Sequence, residues 1–228
     1  MTAVRNPDAI IQRITQIRAT LPPTVKLVAV TKKQPPEAIR AAYAAGIRDF
    51  GESRVQEAIA KQADLADLED VTWHMIGRLQ ANKARKALEH FQWIHSVDSI
   101  RLAERLDQIA AELGCAPHCC LQVKVVPDPP KSGFDPEDFW EALPVLDQLT
   151  HLKLVGLMTI PPLETSAAEA RAIFQRTRQL ADQINQSQLQ QLRIETLSMG
   201  MSGDYLEAIA SGSTLVRLGT ILFGPRYD

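Results

Sequence analysis

Eight short apolar runs alternate with amphipathic helical segments along this chain, and that rhythm limits its fold more than any other feature. The runs fall at residues 26–31, 49–50, 73–76, 93–96, 121–126, 152–158, 193–197 and 214–218. Several, such as Leu27-Val28-Ala29-Val30, are continuously apolar. A strand apolar on both faces must be covered on both faces, as in a parallel sheet flanked by helices. Helical periodicity fills the intervals, notably residues 53–66, 80–90, 99–113, 136–148, 166–185 and 204–211. A further helix opens the chain, with Asn6 as N-cap, Pro7 at its first position and Ile10, Ile11, Ile14 and Ile17 as one stripe. Eight strand–helix units close into an α/β TIM barrel, a (β/α)8 fold with an extra N-terminal helix; an open doubly wound sheet is the alternative. No linker, low-complexity tract or charge block divides the chain, so residues 1–228 read as one barrel domain.

Composition removes whole classes of function. At 228 residues with 45% hydrophobic side chains, the chain can fill a sizeable core. A net charge of -2 argues against a nucleic-acid partner or an acidic membrane surface. No apolar run approaches the roughly 18–20 residues that span a bilayer. The start, Met1 to Asp8, lacks the basic-then-apolar order of a secretory signal, so a cytoplasmic protein is expected. The three cysteines, Cys115, Cys119 and Cys120, are too clustered for a disulfide framework. With His118 they do not make a metal site either, because adjacent strand residues point to opposite faces.

In a TIM barrel the chemistry collects at the C-terminal ends of the strands, and phosphate often binds after strands seven and eight. Lys32 ends the first strand, where an amine at the mouth of a packed barrel loses hydration and gains nucleophilicity. The turn Ser198-Met199-Gly200-Met201-Ser202-Gly203 follows the seventh strand, and Arg217-Leu218-Gly219-Thr220 ends the eighth. Gly200 and Gly203 permit close backbone approach, while Ser198, Ser202 and Thr220 add hydroxyls. Gly219 lets the strand end turn, and Arg217 offers a permanent charge for a phosphate or ring substituent. Barrel closure brings strand eight beside strand one, so these parts face one pocket. A lysine beside a phosphate cradle points to pyridoxal phosphate. Strand alternation alone leaves Lys32 and its neighbour Lys33 as competing attachment points.

Longer stretches carry a resemblance. They include Leu27-Val28-Ala29-Val30-Thr31-Lys32, Phe50-Gly51-Glu52-Ser53-Arg54-Val55-Gln56-Glu57, Trp73-His74-Met75-Ile76-Gly77-Arg78-Leu79-Gln80-Ala81-Asn82-Lys83 and Gly156-Leu157-Met158-Thr159-Ile160. With Leu197 to Ser202 and Gly212 to Thr220, they make a chain that resembles the pyridoxal phosphate homeostasis proteins from end to end. The resemblance implies an alanine racemase-like barrel and a Schiff base on Lys32 rather than Lys33. It also implies cofactor contacts from Ser53, Met158, Ser198, Gly200, Ser202, Arg217, Gly219 and Thr220, with no metal. The chain departs from the family pattern at Ser53 and Lys124, where asparagine is usual.

Racemases of this barrel class add a C-terminal β-domain, whose tyrosine serves one face of the substrate carbanion. This chain ends a few residues past the eighth strand, which implies no such domain; its tyrosines are Tyr43, Tyr205 and Tyr227. The expected function is therefore a cofactor carrier, without turnover, acting in intracellular pyridoxal phosphate homeostasis and amino- and keto-acid balance. Pyridoxal phosphate-dependent apoenzymes are the expected recipients, and the protein is expected to be a monomer. The alternatives are a small pyridoxal phosphate-dependent racemase or decarboxylase, or a cofactor-free class I aldolase. His74 reads as a satisfied core histidine, Glu52 and Glu57 as carboxylates complementing a helix dipole, and Lys131-Ser132-Gly133 as a mobile solvent loop.

Overall fold

A computed structural model describes residues 6–128 and 131–225. Eight parallel strands form a closed barrel in sequence order: β1 (Lys26–Val30), β2 (Asp49–Glu52), β3 (Thr72–Met75), β4 (Trp93–Val97), β5 (His118–Gln122), β6 (Lys153–Met158), β7 (Thr196–Ser198) and β8 (Leu215–Leu218). Closure comes from β8 pairing with β1, with Val28 opposite Arg217 and Ala29 opposite Leu218. The barrel helices are α2 (Pro36–Ala44), α3 (Val55–Asp64), α4 (Ala84–His90), α5 (Ile100–Leu113), α6 (Pro136–Leu146), α7 (Ala167–Gln186) and α8 (Tyr205–Ala210). The helix α1 (Pro7–Thr20) precedes them, and the Asn6 side chain accepts from the Asp8 amide as the expected cap. A short α9 (Thr220–Phe223), not expected from periodicity, follows β8.

Two strand positions differ from the sequence expectation. β5 begins at His118, because buried Cys119 and Cys120 behave as small apolar strand residues. Beyond Gln122 the strand ends: the Val123 amide still donates to the Met158 carbonyl of β6, while Val123 also bridges to Phe134. β7 is shorter and later than the 193–197 run, whose Arg193 and Glu195 are exposed.

The strands alternate between two environments. Outward residues such as Phe50, Trp73, Met75, Ile94, Leu197, Val216 and Leu218 join the helices in the main apolar core. The residues between them in β3, β4, β7 and β8 face inward, and they are polar: His74, His95, Ser198 and Arg217. The centre of this barrel is thus partly hydrogen-bonded rather than wholly apolar. Among the described residues, no helix is long and apolar enough to cross a membrane.

Candidate functional site

Lys32 stands half-buried in the turn that leaves β1, and Lys33 beside it is exposed. Lys33 adopts a left-handed backbone (φ 61°), unusual for a residue with a side chain, and its amide donates to Glu57 Oε1 at 2.6 Å. The same glutamate accepts from Lys61 Nζ at 2.7 Å. Lys61 also donates to the Thr31 carbonyl at 2.7 Å and to Glu52 Oε1 at 2.8 Å, where Thr31 Oγ1 donates at 2.6 Å. The turn carrying Lys32 is therefore gripped on both sides by one buried ion-pair network. Glu52 ends β2 with no exposure, so it belongs to this network rather than to the dipole of α3. Burial raises its carboxyl above the ordinary range against the pull of Lys61, while Lys61 and the Lys33 amide lower Glu57 against its own desolvation.

The loops after β7 and β8 meet beside this turn. The amides of Gly219 and Ile221 both donate to Ser202 Oγ, at 3.2 and 3.4 Å. Gly200 has φ 97°, and a Cβ there would come within 2.6 Å of the Ala208 side chain, so α8 itself demands glycine. Gly203 faces open space, and Thr220 is exposed at the start of α9. Gly219 lies against Val30, where an added Cβ would meet the Val30 side chain and carbonyl at 3.4 Å, so the ends of β1 and β8 are close together here.

Beneath the mouth, Arg217 is 4% exposed and donates through its guanidinium to the Ser198 carbonyl (2.5 Å), Ser198 Oγ (2.6 Å) and the Thr159 carbonyl (3.1 Å). Burial lowers it to about 10, so it stays charged at neutral pH. Met158 is buried at the end of β6. Ser53 follows β2, with Gly77 pressed so closely on it that a Cβ at Gly77 would meet Ser53 O at 2.4 Å. Lys124 is paired with Asp135 at 3.0 Å.

The structure thus brings Lys32, Ser202, Gly219 and Thr220 to one end of the barrel, with Arg217 and Ser198 just below. The Gly219 and Ile221 amides cluster on the Ser202 hydroxyl, a group of neutral donors of the kind that binds a phosphate, and an amine on a rigid turn suits an aldehyde. The residues present fit pyridoxal phosphate. Sequence reading missed Thr31, Lys61 and His95; Glu57 and Lys61, four apart on α3, were the one legible pair. His74 has both ring nitrogens bonded inside the barrel, as a core histidine should. Lys131 is tied to Asp128 and to the Pro161 carbonyl, so the described part of that loop is anchored rather than loose. Tyr43 donates to Asp70, and Tyr205 packs against the core; Tyr227 lies outside the described residues. Among the described residues, no three His, Cys, Asp or Glu side chains gather as a metal site would need.

This barrel and mouth define a protein of the alanine racemase N-terminal class, whose family model matches residues 6–227. Alanine racemase of Clostridium difficile 630 shares the fold with a TM-score of 0.79 at 17% identity, over 98% of this chain and 61% of that one. Similarity is far higher elsewhere. PipY of Synechococcus elongatus PCC7942, solved with PLP bound, is 57% identical with a TM-score of 0.91, covering 94% of this chain and 100% of that one. The pyridoxal phosphate homeostasis protein of Synechocystis is 54% identical over 92% of this chain and 96% of that protein. Its Pseudomonas aeruginosa counterpart is 48% identical over 90% and 86%. The chain belongs to the pyridoxal phosphate homeostasis protein family.

Proposed function

We propose that this protein binds pyridoxal 5'-phosphate covalently through Lys32 and serves in cofactor homeostasis rather than in turnover. The observation that carries the reading is the juxtaposition of the braced Lys32 turn with the Ser202–Gly219–Thr220 cradle across the β1–β8 seam. When bound, pyridoxal phosphate supplies an aldehyde that condenses reversibly with a primary amine. Lys32 is that amine. Ser202, Thr220 and the Gly219 amide hold the phosphate, with Gly200 shaping the turn. Ser53 and Met158 line the ring's surroundings. Ser198 acts through Arg217, whose position it fixes. The residues 1–228 act as one cofactor-binding barrel.

Absence of turnover is supported by what the polar groups already do. Racemisation needs acid–base groups on both faces of a carbanion, and Tyr43 and Tyr205 are engaged in packing or in a surface bond to Asp70. A permanently charged Arg217 near the ring would disfavour a proton on the pyridine nitrogen and so weaken an electron sink. A PLP-dependent racemase or decarboxylase would nevertheless convert added amino acid, whereas a carrier releases or exchanges its cofactor; apoenzymes are its recipients. Its described cysteines are unpaired thiols, in keeping with a reducing cytoplasm. We take the working form to be a monomer.

The test is the visible absorbance of the protein loaded with pyridoxal phosphate, followed by borohydride reduction and peptide mapping. Wild type and Lys33→Ala should be yellow, with the reduced pyridoxyl group on Lys32, and Lys32→Ala should be colourless. A label on Lys33, or colour retained by Lys32→Ala, would overturn the assignment.

A further inference from the structure

The inward polar residues form one continuous chain. From Arg217, hydrogen bonds run to Ser198 Oγ (2.6 Å), from there to His95 Nδ1 (2.7 Å), and from His95 Nε2 to His74 Nδ1 (2.9 Å). His74 Nε2 then meets Asp49 Oδ1 at 2.9 Å, and the same oxygen accepts from Lys26 Nζ at 3.1 Å. Asp49 and Lys26 are the first residues of β2 and β1. The chain therefore crosses the barrel from its N-terminal face to the cofactor end. His74, His95 and Ser198 have no exposure at all.

The ends dictate the direction of every bond. A guanidinium only donates, and an ionised carboxylate only accepts. Asp49 must therefore receive the Nε2 proton of His74, which leaves His74 Nδ1 as an acceptor for the Nε2 proton of His95. His95 Nδ1 is then an acceptor too, and the Ser198 hydroxyl donates to it while accepting from Arg217. Each buried group is satisfied in this arrangement with both imidazoles neutral. Reversing one ring would set two protons against each other or leave a buried nitrogen bare, at the full desolvation penalty. Burial also lowers both histidines, His95 the more so, with Arg217 and His74 opposing any charge on it.

We propose that Asp49, His74, His95 and Ser198 form a one-directional hydrogen-bond relay that sets Arg217 from the opposite face of the barrel, making Asp49 a positioning residue for the cofactor end. The relay itself stands on geometry alone; its reach to the cofactor rests on the reading proposed above. Asp49 anchors it because Lys26 holds the carboxylate in place and Trp93 stacks on His74, with ring centroids 5.6 Å apart at 16°. The other charged or titratable groups facing the relay are His118, stacked on the far side of Trp93, and Cys120 and Asp204 near Arg217.

Nitrogen-15 spectra of the histidine rings in cofactor-free protein test the relay directly. His74 and His95 should both be neutral at pH 8, with the proton on Nε2. Asp49→Asn keeps the shape but presents an amide that can donate, so the ring signals of His95, which Asp49 does not touch, should move towards the Nδ1-protonated form. Ser198→Ala should perturb His95 while leaving His74 with its Nε2 proton on Asp49. A wild-type ring protonated on Nδ1, or His95 signals indifferent to both substitutions, would overturn the relay. Loaded Asp49→Asn should shift the pH midpoint of the visible band by about half a unit or more; an unshifted midpoint would refute the reach to the cofactor. Failure of wild type to take up pyridoxal phosphate would instead count against the proposed function, since the ring spectra need no cofactor.

Discussion

Replacing Lys61 with methionine should cost this protein more stability than its place on a helix face suggests. Glu52 has a fully buried side chain, and its Oε1 holds two hydrogen bonds, from Thr31 and Lys61. Its Oε2 has no hydrogen-bond partner. Methionine matches the length of the lysine stem but leaves the carboxylate with a single neutral donor. Removing one partner of a buried ion pair costs about 3–5 kcal/mol, because the remaining charge keeps its desolvation penalty without its compensation. For a chain of 228 residues, 3 kcal/mol corresponds to a fall in Tm of about 6–12 °C. The pH dependence carries the mechanism. Burial already raises Glu52 above its ordinary 4.5, and Lys61 is the largest influence opposing that rise, so the variant raises it further. A carboxyl raised in the folded state favours folding when protonated and loses that advantage as pH climbs through the folded value. The deficit against wild type should thus be greatest near pH 8 and shrink towards pH 5. Thermal and urea unfolding at both pH values measure it, beside Lys61→Met combined with Glu52→Gln. Removing both charges should restore most of the lost stability. A single variant within about 1 kcal/mol of wild type at pH 8, or a double variant no more stable than the single, would refute the account.

Two further outcomes follow from other buried groups. Asp147, at the end of α6, accepts from the amides of Gln190, Gln191 and Leu192 at 2.8–2.9 Å, which hold it below the usual 3.8 despite desolvation. A depressed carboxyl adds stability above its unfolded value and loses it as pH falls through the folded one. Asp147→Asn should therefore lower the urea midpoint at pH 7, and the gap to wild type should close as pH falls from the usual 3.8 through the depressed folded value; equal midpoints at pH 7 would count against the bonds. Among the thiols, Cys119 and Cys120 are buried, with Cys120 pushed up to about 12, while Cys115 is partly exposed. A thiol reagent should label Cys115 alone in the native protein and all three cysteines after unfolding, which mass spectrometry counts directly.

Much of this molecule was legible in one dimension because its regularities are local. The cap at Asn6 reads straight from residue type and spacing, since its side chain bonds the amide two residues on. Lys32 stood out because a lysine ending a buried strand is visible without knowing the partners of that strand. The strand expected over 121–126 runs instead over His118–Gln122, because burial had to decide what periodicity did not. Glu52 was misread for a related reason. A carboxylate just before a helix has a ready local explanation, and only the neighbour at Lys61, on the packed face of α3, gives it another.

The sequence by itself determined the alternation of strand and helix, and with it a barrel whose mouth collects Lys32, Ser202, Gly219 and Thr220. It also set His74, His95, Ser198 and Arg217 each directly after an apolar residue, without marking His95 as functional. Only the tertiary structure decided that these four meet, and that Asp49 closes their chain at the far end. Alternation along a strand follows from backbone geometry and is local. The meeting of residues from five strands follows from barrel closure and register, which depend on packing across the whole domain.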